Sequence, residues 1–335
     1  MPRKRVCIVT HVDADAVAAA ATYIHCSGLQ LDDVDMLFVP PRDLPKALTR
    51  CASECQKVVV MDLGLNPGTA RTVIDIVRDM VSRGITVEWY DHHVWENEWV
   101  TQLTSVGVRL FIDRSLCAAG IVSREVCGEV TELASIACSI DLWRFDRWEA
   151  PFFYRIVEWY STRGEWRELV KELISVGCDA IKLISMKMNI VEDVIDVELR
   201  EITKALSSVD ILSAGRVKLC VYAKDERSRV VSTSLLCNAF LGRGLCDIAV
   251  VIRSDLKALS FRSAVCNVRE VAKLLGGGGH PRAAGAPLRL SVVYKLALKL
   301  LKSLGVENAF RRILVNYVGS LILRNAGNLE GVCRE

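Results

Sequence analysis

The sequence predicts an α/β protein, with a doubly wound, mostly parallel sheet joined by a helical connector to a smaller α/β domain. Three observations predict it. Short, near-continuous apolar runs alternate with helical stretches through the first half. This is the pattern of parallel strands buried on both faces by crossover helices. Residues 131–210 read as mostly helical, and strand-like runs then restart after a break at Ser207–Gly215. With 335 residues, 51% of them apolar, the chain can fill two cores rather than one.

In chain order, Val6–Thr10, Met36–Val39, Lys57–Met61, Ile85–Tyr90 and Val108–Ile112 are short apolar runs of strand length. Val17–Cys26, Pro67–Arg83 and Ala118–Cys127 fill gaps between or after them with helical patterns. Glu165–Val176 and Val191–Leu206 space apolar and charged residues as helices do, and the second is read as the connector. Beyond the break, Arg216–Tyr222, Asp247–Ile252 and Ala258–Arg262 read as strands, and Ser232–Leu241 and Val268–Leu275 as helices. A cluster, Gly276–Gly279, follows. The sequence gives no settled role to the tail, where Phe310–Leu323 is an apolar strand or helix with docking on the core or on another subunit both open. The expected boundaries are a first domain over 1–190, a connector over 191–214, a second domain over 215–308 and an extension over 309–335.

Composition excludes disordered, collagenous and coiled-coil classes. Mean hydropathy is +0.26, yet no run of 18 apolar residues occurs, so no membrane span is expected. The basic start MPRKRVCIVT leads into His11, Asp13 and Asp15 rather than a signal-peptide core, which predicts a cytoplasmic protein. Net charge is +3, but unevenly placed. Residues 1–210 carry 23 basic against 32 acidic side chains, net −9; residues 211–335 carry 20 against 8, net +12. An acidic half can hold cations and a basic half a polyanion, although two solvated faces would look the same. The 13 cysteines include no C-x-x-C pair, which argues against zinc. Many lie in apolar runs as small hydrophobes, and disulfides are left open.

The chemistry concentrates at strand ends. His11, Asp13 and Asp15 follow the first strand, Asp62 ends the third, and Asp91-His92-His93 follow the fourth. In a doubly wound sheet such carboxyl ends converge, and ligands bind there. Carboxylates with neutral imidazoles suit Mn2+, with Mg2+, Fe or Zn2+ further options. No Lys or Arg lies among these ligand candidates, so the carboxylates would repel one another without a divalent cation. Six or seven ligands suffice for two ions roughly 3.5–4 Å apart. Each residue also has a plainer reading. Asp13 or Asp15 can cap the helix that follows, Asp91 can be a turn residue, and His25 is a helix residue. Gly276–Gly279 before His280, Pro281 and Arg282 is either a flexible turn or a backbone nest for phosphate.

Together these segments resemble the DHH phosphoesterase family, of the RecJ-like and nano-RNase type, over nearly the whole chain. His11-Val-Asp13-Ala-Asp15, Asp62 after Val58–Met61, and Asp91-His92-His93 are similar to its first three motifs. Ser115–Gly120 resembles the helix start after the third, and Asp141 matches the fourth. Phe261-Arg262-Ser263 and Gly276–Gly285 resemble the DHH-associated substrate-binding domain. One departure is Ala16, where the family usually has Gly; Ala is harmless there if it lies in a helix's first turn.

The resemblance implies a two-domain enzyme with a cleft between domains and two Mn2+ ions. His11, Asp13 and Asp62 would hold one ion; Asp15, Asp62, His92 and Asp141 the other, with Asp62 bridging. Asp62, His92 and His93 form the implied catalytic set, and His93 would also contact phosphate. Arg262, Gly278, Gly279, His280 and Arg282 would hold the substrate. The expected activity is two-metal hydrolysis of phosphodiester bonds in single-stranded nucleic acid or short oligonucleotides. A cyclic dinucleotide or nucleoside 3′,5′-bisphosphate is the alternative. A non-catalytic replication accessory protein and an inorganic pyrophosphatase are rivals; intact candidate ligands argue against the first and the glycine–His280 cluster against the second. A homodimer is left open. Aromatics concentrate at Trp143–Trp166, where packing a core and lining the cleft are both open.

Overall fold

The computed structural model describes residues 4–304, 306–325, 329 and 331–333. The chain forms two compact units, Met1–Glu192 and Asp193–Glu335.

Among the described residues, the first unit holds five strands: β1 (Lys4–Thr10), β2 (Val34–Phe38), β3 (Cys55–Met61), β4 (Thr86–Asp91) and β5 (Arg109–Ile112). All pair in parallel, in the order β2-β1-β3-β4-β5. The α-helices wholly within it are α1 (Ala14–Cys26), α2 (Leu44–Glu54), α3 (Ala70–Ser82), α4 (Asn97–Ser105), α5 (Ala118–Val122), α6 (Glu132–Asp141), α7 (Ala150–Ser161), α8 (Trp166–Ser175) and α9 (Ala180–Met186). The central strands carry near-continuous apolar runs because they are covered twice. Val58, Val59, Val60 and Met61 of β3 are all fully buried. Cys7, Val9, Val58, Val60, Val87 and Trp89 share one core with α2, α3 and α4. Helix α1, an alanine-rich segment buried along most of its length, packs against α5, α6 and α8. The order of strands reverses between β1 and β3, so the switch point opens beside the ends that carry His11 and Asp62.

Helix α10 (Met188–Ser208) contains the boundary between the units. The second unit adds β6 (Asp210–Ala214), β7 (Val217–Ala223), α11 (Thr233–Gly242), β8 (Ile248–Ile252), β9 (Ala258–Arg262), α12 (Val268–Leu274), β10 (Gly278–His280), β11 (Ala283–Pro287), α13 (Val292–Ser303) and α14 (Glu307–Asn325). Its six-stranded sheet runs β10-β11-β9-β8-β7-β6, antiparallel except for β7–β8. One face packs Leu219, Val250 and Phe261 under α12 and α14; the other packs Tyr222 and Val251 under α10 and α11.

Two segments differ from the sequence expectation, and the tail takes one of the forms left open for it. Residues 210–214, read as the end of a linker, form the edge strand β6, whose exposed residues leave little apolar signature. The glycine cluster is not a free loop, because Gly278–His280 pairs with Ala283–Gly285. A Cβ on Gly277 would lie 2.0 Å from the Gly285 carbonyl oxygen, so the close approach requires glycine. The tail is a helix whose Leu314, Val315, Val318 and Ile322 complete a core. Ten of the 13 cysteines form five disulfides: Cys7–Cys51, Cys26–Cys127, Cys117–Cys138, Cys220–Cys246 and Cys266–Cys333. Among the described residues no helix is long and apolar enough to cross a membrane.

Candidate metal centre

The site is assembled at the carboxyl ends of β1, β3 and β4, with α6 closing it. His11 leaves β1, and Asp13 then caps α1 by accepting from the Ala16 amide at 3.0 Å. Ala16 is a fully buried residue of the first helical turn, where Ala is unstrained, so the departure from the family pattern is harmless. Asp13 is both the cap and a partner of His11, whose Nδ1 lies 2.5 Å from Asp13 Oδ2. Asp62 follows β3 with φ +52°, a left-handed conformation that Asp tolerates better than most residues. Its amide donates to the Tyr90 carbonyl at 3.0 Å, which fixes the turn against β4.

The two oxygens of Asp62 face different partners. Oδ2 lies 3.6 Å from His11 Nδ1, and Oδ1 lies 3.3 Å from His92 Nε2. His92 Nε2 is in turn 3.6 Å from Asp141 Oδ2, at the end of α6. Asp15 is 1% exposed, and its carboxylate accepts from the Ala118 and Ala119 amides at 2.7 Å each. Those amides open α5, where unpaired N–H groups favour an anion. Ligand atoms lie within 4.8 Å of one another in three groups: His11, Asp13 and Asp62; Asp62, His92 and His93; and Asp15, His92 and Asp141. All six expected metal ligands, with His93, therefore gather in one place.

Crowded carboxylates and imidazoles shift one another's protonation. Burial pulls the His11 imidazole down, yet the Asp13 and Asp62 carboxylates overcome this and push it up to about 11. Burial likewise opposes His92, which Asp62, Asp141 and Asp15 carry to about 9. Burial and the Asp62 charge push Asp141 up to about 6. Burial, with Asp62, Asp141 and Asp13 nearby, lifts Asp15 well above the carboxylate range. Burial would lift Asp13 too, but His11 holds it below its ordinary value. Two buried acceptors, Asp62 Oδ2 and Asp141 Oδ2, have no hydrogen-bond partner among the described residues. Unpaired buried carboxylate oxygens are costly, and a divalent cation satisfies them. The donor set, four carboxylates with imidazoles and no thiolate, fits hard or borderline divalent ions.

Sequence reasoning did not place Asp91 among the site residues. It is fully buried and accepts from the His93 amide at 3.2 Å, pairs with His93 Nδ1 at 2.9 Å, and accepts from Trp95 Nε1 at 2.5 Å. It therefore orients His93, which burial lowers and Asp91 raises to about 9. Gly64 was also missed. A Cβ there would lie 2.8 Å from His93 Cβ and 3.2 Å from Asp91 Oδ2. The available signals were an Asp directly before two His and a Gly two residues after Asp62.

The expected substrate-binding residues lie in the second unit, at one end of its sheet. His280, Ala283 and Arg262 occupy one cross-strand row over β10, β11 and β9. Arg262 Nη2 donates to Ser234 Oγ at 2.6 Å, and Arg282 Nη1 donates to the Ala264 carbonyl. Gly279, at φ +133°, would bring a Cβ 2.7 Å from the Ala283 carbonyl oxygen; Gly278 meets nothing within 4 Å.

No family model and no curated protein matches the chain. Solved structures do. RecJ from Thermus thermophilus in complex with Mn2+ gives a TM-score of 0.59 at 16% identity, covering 85% of this chain and 50% of that one. An exonuclease RecJ bound to manganese gives 0.54 at 17%, covering 85% and 86%. The pGpG-specific phosphodiesterase PggH from Vibrio cholerae gives 0.52 at 15%, covering 90% and 99%.

Proposed function

We propose that this chain, which has the RecJ-like DHH fold, is a divalent-metal-dependent phosphoester hydrolase acting on phosphodiester bonds of single-stranded nucleic acid or short oligonucleotides. The observation that carries the reading is the split orientation of Asp62, one oxygen toward His11 and the other toward His92, with Oδ2 buried and unpaired. His11, Asp13 and Asp62 would hold one ion, and Asp15, Asp62, His92 and Asp141 a second, with Mn2+ favoured and Mg2+ admitted. When bound, such ions lower the pKa of water and offset charge on phosphoryl oxygens. Asp91 fixes His93 through Nδ1, which leaves Nε2 to donate to a phosphate oxygen; held protonated to about 9, His93 is a donor at neutral pH. In the second unit, Arg262, His280 and Arg282, with the Gly278 and Gly279 backbone, would hold a phosphate or terminal nucleotide.

A dinucleotide substrate is the second reading, and the coverage of 99% of PggH supports it. Turnover of 5′- and 3′-labelled oligoribonucleotides and oligodeoxyribonucleotides, of pGpG and of tripolyphosphate, each with Mn2+, tests both. Asp62→Ala should lower cleavage by more than about 100-fold, since even residues supporting metal ligands matter 10- to 100-fold. The fold, read by circular dichroism, should persist. Mn2+-dependent cleavage retained in that variant refutes the assignment.

A further inference from the structure

Two residues beyond Asp141 the backbone does something unusual. Trp143 and Phe145 both adopt left-handed φ, +54° and +49°, although neither is glycine. Bulky residues rarely adopt this conformation, and such backbone clusters at ligand sites. Here it is held firmly. The Ser139 carbonyl accepts from both the Arg144 and Phe145 amides, at 2.9 and 3.0 Å, and the Ile140 carbonyl accepts from Trp143 at 2.9 Å. Arg147 pins the far side through Glu132 and Glu149, each at 3.0 Å. The loop is thus an extension of the helix turn that carries Asp141, with its backbone tied to that turn. Trp143 Cα lies within roughly 7.6 Å of Asp141 Cα, two virtual bonds away.

The strained turn leaves the Trp143 ring exposed, with Phe145 and Tyr154 half-buried beside it. Trp143, Phe145 and Tyr154 form a triangle with centroids 4.9, 6.0 and 5.9 Å apart and planes at 87–90°. None of these pairs is stacked face to face. Trp143 is 40% exposed and Trp148 63%, whereas Phe153, Ile156 and Val157 on the core side of α7 are at most 2% exposed. A cluster that only filled a core would lie with the latter three.

We propose that Trp143, with Phe145 and Tyr154, is a stacking platform for a nucleobase of the substrate. The inference rests on the hydrolase reading and narrows it to base-bearing phosphoesters, against inorganic polyphosphate. Aromatic faces stack any base without reading its edge, so the platform selects for a base and not for a sequence. Edge-to-face neighbours hold the indole in place, which limits the ordering cost of binding.

The test compares two non-hydrolysable methylenephosphonate-linked dinucleotide analogues of equal charge, one with bases and one abasic, binding to the full chain with Mn2+. The wild type should bind the base-bearing ligand about 5- to 150-fold more tightly. Trp143→Leu, which keeps apolar bulk but removes the π-face, should abolish that preference, and Trp143→Phe should retain most of it. Photo-crosslinking of a 4-thiouridine dinucleotide to the wild type should label the segment 142–154. This readout decides the matter even if a variant fails to fold. Equal affinity in the wild type, a preference that survives Trp143→Leu, or label only elsewhere overturns the platform. Turnover without base preference sinks the platform alone; absence of both turnover and Mn2+ binding removes the hydrolase reading with it.

Discussion

Asp91 shows what a single buried carboxylate does at this site. It receives three hydrogen bonds from His93 and Trp95 and sits against Gly64. Replacing it by Asn keeps the shape but removes the charge that favours a protonated His93. Asp91→Asn should lower activity by about 10- to 100-fold and shift the basic limb of the pH–rate profile downward, because Asp91 is the chief group that raises His93. A profile unchanged in position would show that Asp91 only packs. The candidate ligands His11, Asp13, Asp15, Asp62 and His92 were legible in the sequence because each sits at a strand end or in a dense motif, whereas Asp141, at the end of a helix, was reached only through the family resemblance. Asp91 was ambiguous because a carboxylate after a strand is ordinarily a turn residue; only its burial distinguishes it. Gly64 was illegible because its role is the absence of a Cβ beside a residue 29 positions away.

At the scale of elements, Asp15 and Asp141 are held by α5 and α6, and those two helices are joined by the Cys117–Cys138 disulfide. Cys117 directly precedes the two amides that bind Asp15, and Cys138 lies about one helical turn before Asp141. For the two-ion site proposed above, Cys117→Ala with Cys138→Ala should therefore weaken binding at the group Asp15, His92 and Asp141 more than at the group His11, Asp13 and Asp62. Calorimetric Mn2+ titration would show two unequal sites in the variant; equal weakening of both would contradict this. The central parallel strands were legible because burial on both faces makes them nearly continuous apolar runs, and the short run Val108–Ile112 marked the edge strand β5. β6 was not, because an edge strand buries little. The glycine cluster was recognised, but its pairing with β11 depends on a register that local sequence does not specify.

At the scale of the molecule, the site sets how metal-free stability responds to pH. His92 and His93 hold protons to about 9 in the folded chain against an ordinary 6.5, and Asp141 to about 6 against 3.8. The folded state thus binds more protons than the unfolded one, so stability falls as pH rises. The imidazole contribution is intact below about 6.5 and lost through about 9; the Asp141 contribution is lost between 3.8 and about 6. Asp13, held low, acts oppositely, and only as pH falls below its ordinary 3.8. Melting in chelator should fall from about pH 5 to about pH 9, and the increment from added Mn2+ should grow over the same range. A chelator curve that rises above pH 6.5 would contradict the charge arrangement. The two-part architecture was legible from the helical stretch and the restart of strands. The tail's docking on the core was one of two options left open, because α14 has no polar face pattern that points to its partner.

That tail has a consequence for biosynthesis. The first unit's sheet is covered by residues that all precede position 193, so its core can close while the remainder is still being translated. The second unit's core needs Leu314, Val315, Val318 and Ile322, and Cys266 finds its partner only at Cys333. Until those residues emerge from the ribosome, the sheet face made by Leu219, Val250 and Phe261 has only α12 as a partial lid, and the nascent chain carries the rest of that greasy surface from the synthesis of Phe261 until α14 has been made.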